Sequence, residues 1–314
     1  MSLTFIVDAL VTIVGITTPI LLAATGELVA EKSGVINLGV EGMMLIGAVT
    51  AFAVAFDFGP DLGDLAPWIA VVCAALAGAA SSMLFAVLVL TLSSNQVATG
   101  LALTILGVGL SGLIGAGFVG TKIVPAAQLH LPYLTDIPFI GRILFGEDAF
   151  VYFSIALLIA IWLFLYRSRP GLVLRAVGDN HGSAHALGYP VLRIRMLAVL
   201  FGGACAGLGG AFLPLAYTPF FIPGMTAGRG WIALALVFFS SWRPGRLMVG
   251  AYLFGAVSIL QLHTQALGLG IPSQLMSSLP YLATVIVLVL ISRTRGTAGS
   301  AAPASLGQVF VPDR

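Results

Sequence analysis

Nine mostly apolar runs, at approximately 3–24, 35–56, 67–92, 96–118, 149–166, 196–217, 227–242, 245–267 and 279–292, decide what this chain can fold into. Crossing the hydrocarbon core of a bilayer takes about 20 such residues in a helix. The seventh and ninth runs are short and two further regions are ambiguous, so the count is about nine, within 8–10. No backbone group goes unpaired in lipid, which leaves helices or a closed barrel. Barrel strands alternate apolar and polar residues, whereas these runs are continuously apolar. The expectation is an all-α, polytopic transmembrane helix bundle.

Composition agrees. Apolar residues make up 59% of the chain and charged residues only 8%, with a mean hydropathy of +1.07. A soluble domain carries about a quarter charged residues. The 38 glycines suit helices that approach closely without a hydrophobic force between them. A net charge of +2 without a polybasic patch excludes a nucleic-acid partner. Cys73 and Cys205 lie in apolar runs and form neither a disulfide framework nor a zinc site. The N-terminus lacks the basic start and small-residue cleavage site of a signal peptide, so its apolar run reads as a first membrane helix.

The charges orient the spans. Arg167, Arg169, Arg175, Arg193 and Arg195 fall between the fifth and sixth runs, Arg243 and Arg246 after the seventh, and Arg293 and Arg295 after the ninth. With nine spans these lie on one side together with Lys32 and Arg314, while Lys122, Arg142 and Arg229 lie opposite with Asp57, Asp61 and Asp64. The positive-inside rule then puts the N-terminus outside and the C-terminus in the cytoplasm. Residues 1–295 read as one transmembrane domain and 296–314, rich in Gly, Ala, Ser and Pro, as a flexible cytoplasmic tail. No Gly-x-x-x-x-Gly-Lys-Ser/Thr phosphate loop occurs, so no cofactor is expected in this chain, and any ATP is bound by another subunit.

Four stretches carry polar groups where an apolar span does not need them. The 167–195 loop, RSRPGLVLRAVGDNHGSAHALGYPVLRIR, is far longer than a connector requires. Gly178-Asp179-Asn180 offers an N-cap, 183–187 fits one or two helical turns, and Gly188 supplies a C-cap before Pro190. Such an Ala-rich, nearly uncharged helix is a docking element or else a surface helix on lipid headgroups. The second stretch, 31–48, holds Asn37 and Glu41 among Gly34, Gly39 and Gly42. These two polar residues share a face if the segment is helical, and a carboxyl group at membrane depth marks a functional site by default. Glu41 either lines a solute path or anchors packing, for instance through Lys32. The third, 92–112, opens on Asn95, Gln96 and Thr99, whose polar groups bind a ribose or base edge, or cap a helix. In the fourth, 220–246, Trp231 either stacks on a base or sits in the aromatic belt. His130, His181, His185 and His263 are too dispersed for a metal or acid–base site, so no catalytic or metal-binding residue is expected.

The 167–195 loop resembles the coupling loop of ABC importer permeases that serve branched-chain amino acids, simple sugars and nucleosides. In that group a sequence like R-A-V-G-E-N-x-x-A-A-x-x-x-G-I precedes a span. Here it reads Arg175-Ala176-Val177-Gly178-Asp179-Asn180, then Ala184, Ala186, Leu187 and Gly188, with Asp179 for the family's Glu and His181 for a usual Pro. Segments 34–48, 95–112 and 224–236 together resemble the nucleoside branch. The resemblance implies a multi-pass permease of the bacterial inner membrane, not an enzyme, working by alternating access. Its implied partners are ATP-binding-cassette ATPase subunits, a second related permease and an extracytoplasmic solute-binding protein. It also implies that Gly178, Asp179, Asn180, Ala184, Leu187 and Gly188 couple to the ATPase, with Asn37, Glu41, Asn95, Gln96, Thr99 and Trp231 as path candidates. Permeases for simple sugars or branched-chain amino acids stay open as alternatives, and so, less readily, does an ion-coupled carrier using Glu41. A weak echo relates the Gly-rich breaks at 34–44 and 224–236, each leading into a span.

Overall fold

The computed structural model describes residues 3–126, 145–266 and 302–311, with single positions between 275 and 289. Helices occupy the first eight apolar runs, while the ninth, at 279–292, falls mostly outside the described residues, as do His130 and Arg142. The long helices are α1 (Leu3–Lys32), α2 (Val40–Leu62), α3 (Ala66–Ala86), α4 (Gln96–Gly115) and α5 (Ala149–Arg167). Two short helices follow, α6 (Arg169–Asp179) and α7 (His181–Ala186). The order ends with α8 (Val191–Phe212), α9 (Arg229–Phe239) and α10 (Pro244–Ala266). Among the described residues, six helical stretches are long and apolar enough to cross a membrane. One of these, Val40–Thr91, is a hairpin of α2 and α3. Gly47 and Gly78, on either side of the turn at Gly63, both pack against Gly207 of α8, which requires the two helices to run back along each other.

The most buried of these stretches is Val191–Tyr217, and α1, α2 and α3 pack around it. Small residues make this possible. A Cβ at Gly26 would stand 2.5 Å from that of Cys205, and one at Gly47 would stand 2.5 Å from the Gly207 backbone. In lipid such close backbone approach is what holds helices together. Single π-helical turns at Val87–Thr91 and Leu213–Tyr217 end α3 and α8.

Two helix boundaries differ from the hydropathy reading, for the same reason. The first apolar run fades near residue 24, yet α1 continues to Lys32, because Glu27 and Glu31 are buried with partners inside the bundle. The second run begins at 35, yet α2 starts only at Val40, because residues 33–39 form a non-helical segment whose backbone is satisfied from neighbouring helices. Non-helical backbone within a membrane protein persists only when protein encloses it in this way.

Candidate functional site: a broken segment and a capped loop helix

The break at 33–39 is the polar centre of the bundle. Ile36 N–H donates to Gln96 Oε1 at 2.9 Å and Asn37 N–H donates to Glu27 Oε1 at 3.1 Å. The Leu38 carbonyl accepts from Thr104 Oγ1 at 2.9 Å, and the Ser33 carbonyl accepts from Arg195 Nε at 3.1 Å. Asn37 folds back on its own chain, its Oδ1 accepting from Gly39 N–H at 2.9 Å. Thr104 sits eight residues into α4, so by helix rise Leu38 lies about 12 Å along that helix. Asn37 therefore precedes α2 and shares no helix face with Glu41, the pairing that a helical 31–48 segment would have given.

Glu41, in the first turn of α2, turns to the start of α9. Its Oε1 accepts from Thr226 Oγ1 at 2.6 Å and from Gly228 N–H at 2.9 Å, and its Oε2 accepts from Gly230 N–H at 2.6 Å. Gly228 precedes α9 with a φ of +82°, left-handed geometry that glycine adopts without strain. Helix α9 has only 11 residues, about 16 Å by helix rise, roughly half the hydrocarbon thickness. A turn at 223–228 leads into it, and the Arg229 N–H donates to the Thr226 carbonyl at 3.0 Å, while the N–H groups of Gly228 and Gly230 at the helix start are answered by Glu41. The two Gly-rich breaks, at 34–44 and 224–236, thus meet one another through this carboxyl group. Trp231 is the third residue of α9 and is 37% exposed.

The remaining candidates at the head of α4 divide. Asn95 caps α4, its Oδ1 accepting from Ala98 N–H at 3.0 Å, and Thr99 Oγ1 lies 2.9 Å from Ser94 Oγ. Gln96 is buried, and although its Oε1 is engaged by Ile36, its Nε2 has no hydrogen-bond partner among the described residues. The structure brings Asn37 and Gln96 to the same break and Glu41 to the α9 start, whereas Asn95 and Thr99 sit at the exposed end of α4.

The 167–195 loop folds as the two short helices. Ser168 caps α6 by accepting from Gly171 N–H at 3.0 Å, and Asn180 caps α7 by accepting from Ser183 N–H at 2.9 Å. At the other end of α7, Gly188 N–H donates to the His185 carbonyl at 2.8 Å and Tyr189 N–H to the Ala184 carbonyl at 3.1 Å. Gly188 has a φ of +85°, completing a Schellman stop. Ala184 is buried under the helix, while Leu187 and Tyr189 point out, Leu187 being 78% exposed. Gly178 lets this unit sit against the end of α1, since a Cβ there would overlap the Lys32 carbonyl.

The composition of the tail suggested flexibility, yet residues 302–311 pack against this same unit. Ser305 donates from N–H to the Gly178 carbonyl at 2.9 Å and from Oγ to the Asp179 carbonyl at 3.1 Å. Gly307 N–H donates to the Gly34 carbonyl at 3.0 Å, and Arg195 Nη1 donates to the Gln308 carbonyl at 3.0 Å. The Phe310 ring stands edge-on to both His181 and His185, with centroids at 5.2 and 5.3 Å. Burial, and secondarily the Arg195 guanidinium, holds the His181 imidazole below its ordinary value of 6.5. Sequence reasoning counted Arg195 as a loop charge and passed over Glu27. The spacing of Glu27 and Glu31, four apart in an apolar helix, was the available signal for the latter.

The sequence matches the profile of the branched-chain amino acid transport system / permease component family over residues 9–293. It is 42% identical over 293 residues to the putative glucose ABC transporter permease protein TsgC13 of Haloferax volcanii, covering 86% of this chain and 87% of that one. It is 33% identical over 281 residues to the guanosine ABC transporter permease protein NupQ of Bacillus subtilis, covering 86% and 87%. The nucleoside ABC transporter permease protein NupC of Lactococcus lactis subsp. cremoris is 33% identical over 280 residues, covering 87% and 88%.

Proposed function

Since this chain belongs to the family of branched-chain amino acid transport permease components, and is a multi-pass membrane transport subunit rather than an enzyme, we propose that it imports nucleosides. The observation that carries the solute is the similarity along most of the chain to two permeases named for guanosine and nucleosides. One feature of the site supports it. The break at 33–39 is surrounded by polar side chains already engaged with backbone, and Gln96 Nε2 is a buried donor left over for a solute oxygen or ring nitrogen. Asn37 and Glu41 then shape the path by holding the broken backbone open, and Gln96 and Trp231 contact the solute. A permease of this kind needs weak, distributed contacts, because the solute has to leave as well as enter.

The free energy comes from ATP bound by separate cassette subunits, and α7 transmits their closure to the spans. Gly178, Asp179, Asn180, Ala184 and Gly188 set the position of α7, and Leu187 and Tyr189 present its docking surface. The importer is completed by a solute-binding protein outside and a second, related permease, in the inner membrane with the N-terminus outside and the basic loops in the cytoplasm. A sugar is the second reading, favoured by the 42% identity to a putative glucose permease. The test is uptake of radiolabelled guanosine by cells with and without this subunit, in the presence of excess unlabelled glucose or leucine. Subunit-dependent guanosine uptake that glucose does not compete supports the nucleoside. No guanosine uptake, together with subunit-dependent uptake of radiolabelled glucose in a parallel assay, replaces it with the sugar.

A further inference from the structure

At the basic end of the bundle a cavity of about 750 Å³ collects cations from three separate elements and a connecting turn. Lys32 reaches it from the end of α1, Arg175 from α6, Arg243 from the turn before α10, and Arg246 from the first turn of α10. One carboxyl group, that of Asp179, stands among them. The lining carries four cations and one carboxylate, so its potential is positive and attracts an anion. Pro244 and Gly245 add the first, unbonded turn of a 23-residue helix, whose dipole favours negative charge. Arg175 Nε is a buried donor with no hydrogen-bond partner among the described residues.

The wall of the cavity shows where the anion comes from. Trp162 and Tyr166 of α5 line it, and Arg175 lies over the Tyr166 ring at 5.0 Å. Ile159, Trp162, Leu163 and Tyr166 are all exposed, and their spacing of three, one and three residues puts them on a single helix stripe. An apolar stripe on the outside of a span, ending in a basic cavity flanked by Trp and Tyr, matches a phospholipid, with acyl chains along the stripe and headgroup phosphate inside. We infer that this cavity binds the phosphate of an anionic phospholipid from the leaflet on the basic side of the membrane.

The chain, purified in detergent and offered equal amounts of phosphatidylglycerol and phosphatidylcholine, is examined by native mass spectrometry. Wild type is expected to retain phosphatidylglycerol preferentially. Arg243 and Arg246 are exposed, so Arg243→Gln/Arg246→Gln is expected to fold, and each removed cation should lower the preference about fivefold. Arg169→Gln, which removes an exposed cation outside the cavity, should leave it unchanged. Equal retention of the two lipids by wild type, or an equal loss in Arg169→Gln, overturns the inference. Displacement of the lipid by millimolar inorganic phosphate overturns the lipid as the source. Unchanged lipid selectivity in the double variant, with loss of its association with the ATPase subunit, makes the cluster a protein contact and overturns it as well.

Discussion

Replacing Glu41 separates a path group from a structural cap. In Glu41→Ala, the N–H groups of Gly228 and Gly230 and the Thr226 hydroxyl lose their acceptor inside the bundle, where Glu41 is only 7% exposed. A buried donor left without a partner costs about 1–3 kcal/mol. Taking about 2 kcal/mol for each backbone N–H, and letting the hydroxyl rotate to another acceptor, gives about 4 kcal/mol, on the order of a thousandfold in the folding equilibrium. Glu41→Gln keeps one side-chain oxygen but turns an NH₂ toward one donor, so about half the loss, roughly 2 kcal/mol, is expected. Gly230→Ala attacks the same contact from the other side, since its Cβ would stand 2.5 Å from the Glu41 backbone. The assay is thermal unfolding of the purified chain in lipid nanodiscs, followed by tryptophan fluorescence, with Trp231 next to Gly230 as a local reporter. Stability falling in the order wild type, Gln, Ala supports the cap. Unchanged stability in Glu41→Ala, with an altered KM for solute, would refute it and return Glu41 to the path.

The other predictions concern the loop helices. Gly178→Ala places a methyl group on the Lys32 carbonyl, and an overpacking cost of about 1–3 kcal/mol should detach α6 and α7 from α1, read as increased amide exchange at 176–186. Leu187→Ser removes an exposed apolar group, so the chain should keep its unfolding midpoint while ATP-driven uptake falls at least about tenfold, roughly 1.4 kcal/mol of lost docking. Phe310→Ala should free the tail, which then becomes accessible to carboxypeptidase. Acidification acts on the same contact: a folded His181 titrating below 6.5 takes up fewer protons than the unfolded chain, so its contribution is complete above about pH 6.5 and is lost as pH falls below it. Tail proteolysis that is independent of pH between 7.5 and about 5.5 would contradict this.

Much of the architecture was legible because lipid leaves so few choices. Eight apolar runs coincide with helices, and Asn180 and Gly188 mark the ends of α7 in the sequence by the same chemistry that ends it in space. Long-range polar pairing was not legible. Glu41 and Gly230 are 189 residues apart, and nothing local in either segment says that one caps the other. Arg195 shows the converse error. A charge beside a membrane span reads as a loop residue, yet it is fully buried, holding the Ser33 and Gln308 carbonyls together. The tail misleads for a related reason, since its Gly, Ala and Ser composition reads as a linker, while its order comes from hydrogen bonds to distant carbonyls and from the single Phe310 ring set against His181 and His185. Where a segment is held by a few contacts to distant residues, composition carries little of the information.

The most direct test is solute uptake into proteoliposomes holding this chain with its partner permease, ATPase subunits and loaded binding protein. ATP and a non-hydrolysable analogue would be compared in the absence of any ion gradient. Sustained nucleoside uptake with ATP, abolished by the analogue, is the predicted result. Uptake that persists with the analogue, or that requires an imposed proton or sodium gradient, would contradict an ATP-driven permease.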